Sequence, residues 1–144
     1  MKVMKASEII EGVIELLSVR EHWTQCAVAR NIPDGTHKFS DWSSYQDEDL
    51  MSLSYSTNVG PLDENAQSWC LGGAIIKVMN TSDWYSMDTR VKRIFDKLAQ
   101  DRGYTNFVPF NNSHKTEHED LMLFLKEALY EAQIMEAKAA IIMQ

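Results

Sequence analysis

The sequence predicts an all-α fold: a compact helical domain around a central apolar helix at residues 64–80, with a long C-terminal helix. Three observations carry this expectation. Apolar residues recur at spacings of three and four in residues 7–19, 89–100 and 116–143, the period of a helix with one buried face. The stretch Gln67-Ser68-Trp69-Cys70-Leu71-Gly72-Gly73-Ala74-Ile75-Ile76 is apolar on nearly every side, as a helix packed among others must be. Capping residues stand where the periodic segments begin, at Ser7, Asp88 and Thr116.

The first helix is expected over Ser7–Val19, with Ser7 as N-cap, Glu8 at the positive end of the dipole, and Ile9, Ile10, Val13, Ile14, Leu16 and Leu17 inward. His22–Arg30 reads as a second, short helix, ended by Pro33 and the Asp34-Gly35 turn pair. Residues 36–65 are polar, with Phe39, Trp42, Tyr45 and Tyr55 scattered through them. Asp47–Leu53 suits one or two helical turns, and Ser52–Ser56 alternates like a short strand. So long a stretch with little regular structure is unusual inside a compact domain, so residues 36–61 read as an inserted loop whose aromatics pack down.

The third helix, Glu64–Asn80, places Leu71, Ala74, Ile75, Val78 and Met79 on one stripe and Trp69, Gly73 and Ile76 on another. Gly72 and Gly73 each cost about 1 kcal/mol against alanine in a helix. Close approach of a neighbouring helix, or of a ring such as Trp23, is the expected compensation. Thr81-Ser82-Asp83 restarts the chain, and Asp88 caps a fourth helix, Thr89–Gln100, stopped by Gly103. Tyr104–Phe110 reads as extended because of Pro109, and Asn111-Asn112-Ser113 as a loop. Thr116 and Glu119 form a capping box that opens the last helix. Its seam, Leu121, Leu125, Ala128, Ala132, Met135, Ala139 and Ile142, repeats in heptads.

Residues 1–130 are therefore expected to form a single domain, and residues 131–144 an extension that pairs with another copy of the chain. The alternative is that this half lies back across its own domain. A chain of 144 residues with 44% apolar content buries a core without metal or disulfide staples. The net charge of −7 argues against nucleic acid as a partner, because phosphate binding is driven by basic residues. No run reaches the roughly 18 apolar residues of a membrane span. Glu8, Glu11 and Glu15 interrupt any signal-peptide core, and two cysteines make no disulfide framework, so a cytoplasmic location is expected.

Three constellations could carry chemistry. Cys70 near a helix start, with His22 as base and Asn111 as orienter, has the residue types of a Cys/His/Asn hydrolase; against it, Cys70 sits between Trp69 and Leu71 on a helix with no solvent side. His22-x3-Cys26, His114-x3-His118 and Cys70 are too loosely spaced for a structural zinc site, so no metal and no cofactor are expected. Trp23, Arg30, Trp42 and Trp69, with Tyr45, could line a pocket for a small planar anionic ligand.

Three motifs occur in order: His22-Trp23-Thr24-x-x-Ala27-x-Ala29-Arg30-Asn31, then Trp69-Cys70-Leu71-x-Gly73-Ala74-Ile75, then Phe110-Asn111-Asn112-x-x-x-Thr116 leading into Asp120, Leu125, Ala128 and Leu129. The chain thereby resembles an uncharacterised family of small proteins (domain of unknown function 6197) met in bacteriophage and bacterial genomes, over residues 7–35, 62–80 and 104–130. The resemblance implies a compact helical domain and a phage or prophage origin, and no activity. Cys26 stands where that family usually has glycine, and Asn31 and Asn112 where it tends to have aspartate. The functional expectation is a non-enzymatic binding protein, a host-takeover or counter-defence factor that binds a host protein or sequesters a small ligand; the alternative is the Cys70, His22, Asn111 hydrolase.

Overall fold

The structure, a computed structural model, describes residues 3–43, 46–81 and 84–143; Tyr45, Ser82 and Asp83 lie outside the described residues. The fold is predominantly helical, with six α-helices and a small three-stranded sheet among the described residues.

Helix α1, Ala6–Leu17, turns Ile9, Ile10, Val13 and Leu17 into the core. Its N-cap is Lys5 rather than Ser7, with the Glu8 side chain reaching back to the Lys5 N–H at 2.9 Å. Ser7 lies one turn inside because it has another partner: its hydroxyl donates to Glu136 Oε1 at 2.6 Å and its N–H to Oε2 at 3.1 Å. The far end of α1 is closed by two histidines, His22 Nδ1 donating to the Leu16 carbonyl and His118 Nε2 to that of Leu17. These carbonyls have no partner within the helix, and ring N–H groups supply one.

The segment expected as a second helix is extended instead. A short 3-10 turn at Arg20–His22 leads to strand β1, Ala29–Arg30, the centre of the sheet. Strand β2, Asn58–Val59, and strand β3, Ser68–Trp69, flank it antiparallel, with Ala29 opposite both Val59 and Trp69. Trp23 also bridges to Trp69, and Thr24 N–H donates to the Trp69 carbonyl at 3.0 Å. Helix formation fails here because Cys26 takes a left-handed φ of +60°.

The inserted region is more ordered than its composition suggests. It contains helix α2, Glu48–Thr57, capped by Asp47, and then β2. Of its described aromatics, Phe39 is fully buried, as expected, whereas Trp42 and Tyr55 are 62% and 76% exposed and do not pack down.

Helix α3 begins only at Leu71 and runs to Met79; residues 68–69 belong to the sheet. Leu71 to Ile76 are all buried, so it is central, as expected. Cys70 is its N-cap and Asn80, at φ +55°, closes it. The two glycines admit neighbours other than Trp23: a Cβ on Gly72 would strike the Trp84 ring, and one on Gly73 the Val28 carbonyl.

Helix α4, Thr89–Asp101, follows its Asp88 cap, whose carboxylate accepts from the N–H groups of Arg90 and Val91, and buries Val91, Ile94, Phe95, Leu98 and Ala99. The expected extended segment is in fact helix α5, Phe107–Asn112. Pro109 is the third residue of that helix, where no intrahelical N–H bond is made and none is lost. The two N–H groups before it go to Asp96 Oδ1 and Asn106 Oδ1. Phe110 stacks on Phe124 at 4.5 Å and Phe95 meets both Phe124 and Phe107 edge-on, so α4, α5 and α6 share one aromatic core.

Helix α6 spans His118–Ile142. Its capping box is Glu117 with Asp120, one residue beyond the expected pair, because the Thr116 hydroxyl donates instead to the Phe110 carbonyl at 2.7 Å. Leu121, Phe124, Leu125, Ala128 and Ala132 are buried against the body; residues 137–143 are exposed all round. No helix among the described residues is long and apolar enough to cross a membrane.

Candidate functional site

The strands and α5 carry three separated segments to one buried amide, Asn111. Its Oδ1 accepts from Trp23 Nε1 at 2.9 Å and from the Leu71 N–H at 3.0 Å. Its Nδ2 donates to the Thr24 carbonyl at 3.2 Å and to Asn112 Oδ1 at 2.9 Å. Both lone pairs and both hydrogens are thus used, the full capacity of an amide. Asn112 Oδ1 also accepts from the Cys26 N–H at 2.8 Å, which holds the left-handed turn. Gln25 Nε2 donates to the carbonyls of Asn111 and Ser113, while its buried Oε1 has no partner among the described residues.

Above this floor opens a cleft of about 390 Å³. Cys26, Ala27 and Val28 form one wall, Cys70 and Gly72 a second, and Phe107, Val108, Asn111 and Asn112 a third; Trp84 closes the ring. Among the described residues no acidic or basic side chain lines it. Trp84 is seated where Gly72 has no side chain and stacks on Phe107, with ring centroids 6.1 Å apart and planes 18° from parallel. Asn112 lines the cleft, and among the described residues no hydrogen bond engages its Nδ2.

The residues singled out from sequence are distributed differently. Cys70 and Asn111 do meet at the cleft; His22 does not line it, its Nδ1 donating to Leu16 and its ring standing edge-on to Trp69 at 6.2 Å. Burial pushes the Cys70 thiol above its ordinary range, and the N–H groups of Gly73 and Gly72 that point at the sulfur offset this only in part. Trp23 and Trp69 are core rings, each with its indole N–H bonded, to Asn111 and to the Pro61 carbonyl. Trp42 stands exposed beside His114.

Arg30 is fully buried, its guanidinium 3.8 Å over the Phe39 ring. All five of its donors are spent: Nε on Thr24 Oγ1, one terminal nitrogen on the Ser54 carbonyl and Thr57 Oγ1, the other on the Gln25 carbonyl and Ser54 Oγ. Burial pulls its pKa down, and the charge of Asp34 opposes this; the Thr24 hydroxyl that accepts from Arg30 donates to Asp34 Oδ2 at 2.8 Å. None of Trp23, Arg30, Trp42 and Trp69 lines the cleft. The described residues bring together no group of three His, Cys, Asp or Glu side chains that could hold a metal.

Trp84, Phe107, Asn112 and Cys26 are the site residues that sequence reasoning missed. The adjacent glycines pointed to a close neighbour, and Cys26 to a position that favours glycine. Cys26→Gly should relieve the left-handed backbone, a gain of about 1 kcal/mol, offset in part by the freer unfolded chain. Thermal unfolding checks it, with a midpoint rise of roughly 2–4 °C expected.

No curated protein and no solved structure matches the chain. A protein-family model does match, over residues 1–131, and it spans all three segments that meet at Asn111. The chain belongs to the Family of unknown function (DUF6197).

Proposed function

We propose that the chain is a non-enzymatic binding protein that sequesters a small ligand in the cleft above Asn111. The observation that supports this best is the convergence of three segments, distant in sequence, on an open cleft with no general base among the described residues beside its buried thiol. Hydrolysis by Cys70 would need a base within hydrogen-bond reach, and His22 is engaged at the end of α1. Sequestration in a host cytoplasm suits the phage or prophage origin that the resemblance implies, as a takeover or counter-defence factor. The test is to denature the purified protein and analyse released small molecules by mass spectrometry. A compound released by the native sequence and absent from Trp84→Ala supports the reading; equal release from both proteins contradicts it.

Residues 131–144 are proposed to join copies of the chain. Ile141, Ile142 and Met143 are 70–86% exposed at the end of α6, beyond the contacts that Ala132 and Glu136 make with the body, and self-association would bury them. Deleting residues 133–144 should lower the mass in solution; an unchanged mass contradicts the oligomer.

A further inference from the structure

Resting on the ligand-binding reading, we propose that the ligand is an uncharged planar heterocycle of nucleobase or nucleoside size. Its flat face lies on Trp84 and a hydrogen-bond acceptor on its edge faces Asn112 Nδ2. Charge decides first. The described residues line the cleft with thiols, amides, aromatic rings and aliphatic groups, and none of them is a cation to pair a phosphate or carboxylate. An unpaired anion would lose its hydration there without compensation. Arg30, the buried cation of β1, has no donor left to give.

Shape decides next. Trp84 stacks on Phe107 and fits against Gly72, which orients its indole at the cleft. A preset aromatic face favours a flat partner, which stacks at little entropic cost. The volume, about 390 Å³, is at the small end for ligand pockets and suits one ring system. A second hollow of about 430 Å³ opens beyond Trp84, sharing Trp84 and Val28 with the first. Val59, Pro61 and Ile76 help line it, again with no acidic or basic side chain among the described residues. A substituent such as an unphosphorylated sugar could extend there.

Hydrogen bonding decides the edge. Asn112 Oδ1 is turned inward to Cys26 and Asn111, which leaves the amide's donor side for the ligand. A carbonyl or ring nitrogen is the matching group.

The experiment is calorimetric titration of the full chain with adenine, uracil, adenosine, uridine and the two nucleoside 5′-monophosphates. Saturable binding of at least one base or nucleoside is expected, with its monophosphate at least tenfold weaker. Trp84→Ala should weaken binding at least tenfold. Asn112→Asp, which keeps the bonds to Cys26 and Asn111 but replaces the donor, should do the same. A monophosphate that binds as tightly as its nucleoside overturns the proposal. So does failure of every probe where the denatured protein releases some other compound, an outcome that leaves the sequestration reading standing. If no probe binds and nothing specific is released, both fall.

Discussion

Asn111→Ala is expected to destabilise the protein by about 4 kcal/mol and to abolish ligand binding in whatever fraction stays folded. The substitution leaves the indole N–H of Trp23 and the main-chain N–H of Leu71 without an acceptor, and the Thr24 carbonyl without its donor. Each orphaned buried group costs about 1–3 kcal/mol, and a fully satisfied network loses more than one bond when its centre goes. Against a total stability of about 5–15 kcal/mol this is a large fraction. It should lower the thermal midpoint by roughly 10 °C. A loss below about 1 kcal/mol would mean that the three segments are held apart from Asn111 by packing alone.

Gly73→Ala is the second large effect, a loss of about 3 kcal/mol in a denaturant melt. The added Cβ meets the Val28 carbonyl, main chain that cannot rotate away and that accepts from the Cys70 N–H at 3.2 Å. Moving it breaks the pairing of the Cys26–Val28 wall with α3. The helical preference for alanine, about 1 kcal/mol, offsets only part of this. Gly72→Ala makes the informative contrast. Its Cβ meets the Trp84 ring, a side chain that can shift. Stability should change by less than about 1 kcal/mol, because displacement of the ring and helical preference oppose each other, while ligand affinity falls with the loss of the Trp84 platform. Equal stability losses for the two alanines would contradict the different roles assigned to these glycines.

The long periodic segments were legible in sequence because their own burial pattern determines them. Residues 7–19, 89–100 and 116–143 each contain a helix within a few residues of the expected limits. The errors fall where tertiary partners override local signals. His22–Arg30 has helical composition, yet its backbone bonds go to Trp69, Asn112 and the flanking strands. Pro109 looked like a barrier, but it stands where a helix needs no N–H. Ser7 and Thr116 were the best local caps, and each is used elsewhere, on Glu136 and on Phe110.

The site was legible in part for the same reason. Cys70 and Asn111 could be singled out by residue type, and they do meet. Their role could not be read, because the bonds that saturate Asn111 come from residues 40 and 88 positions away. Arg30 looked available for an anion until Ser54 and Thr57 of the inserted region were seen to occupy it. Trp84 carries no local sign of function; only the fold brings its ring over Gly72.

Asn111 ties the three segments together and so shapes the cleft. Native-state hydrogen exchange at the Trp23 indole N–H and the Leu71 amide tests it most directly, with the amide of Ile75 in the middle of α3 as the internal standard. Both groups are expected to exchange as slowly as Ile75, opening only when the whole domain unfolds. Exchange orders of magnitude faster than Ile75 would show that the Asn111 bonds open independently of the fold, and would contradict the account.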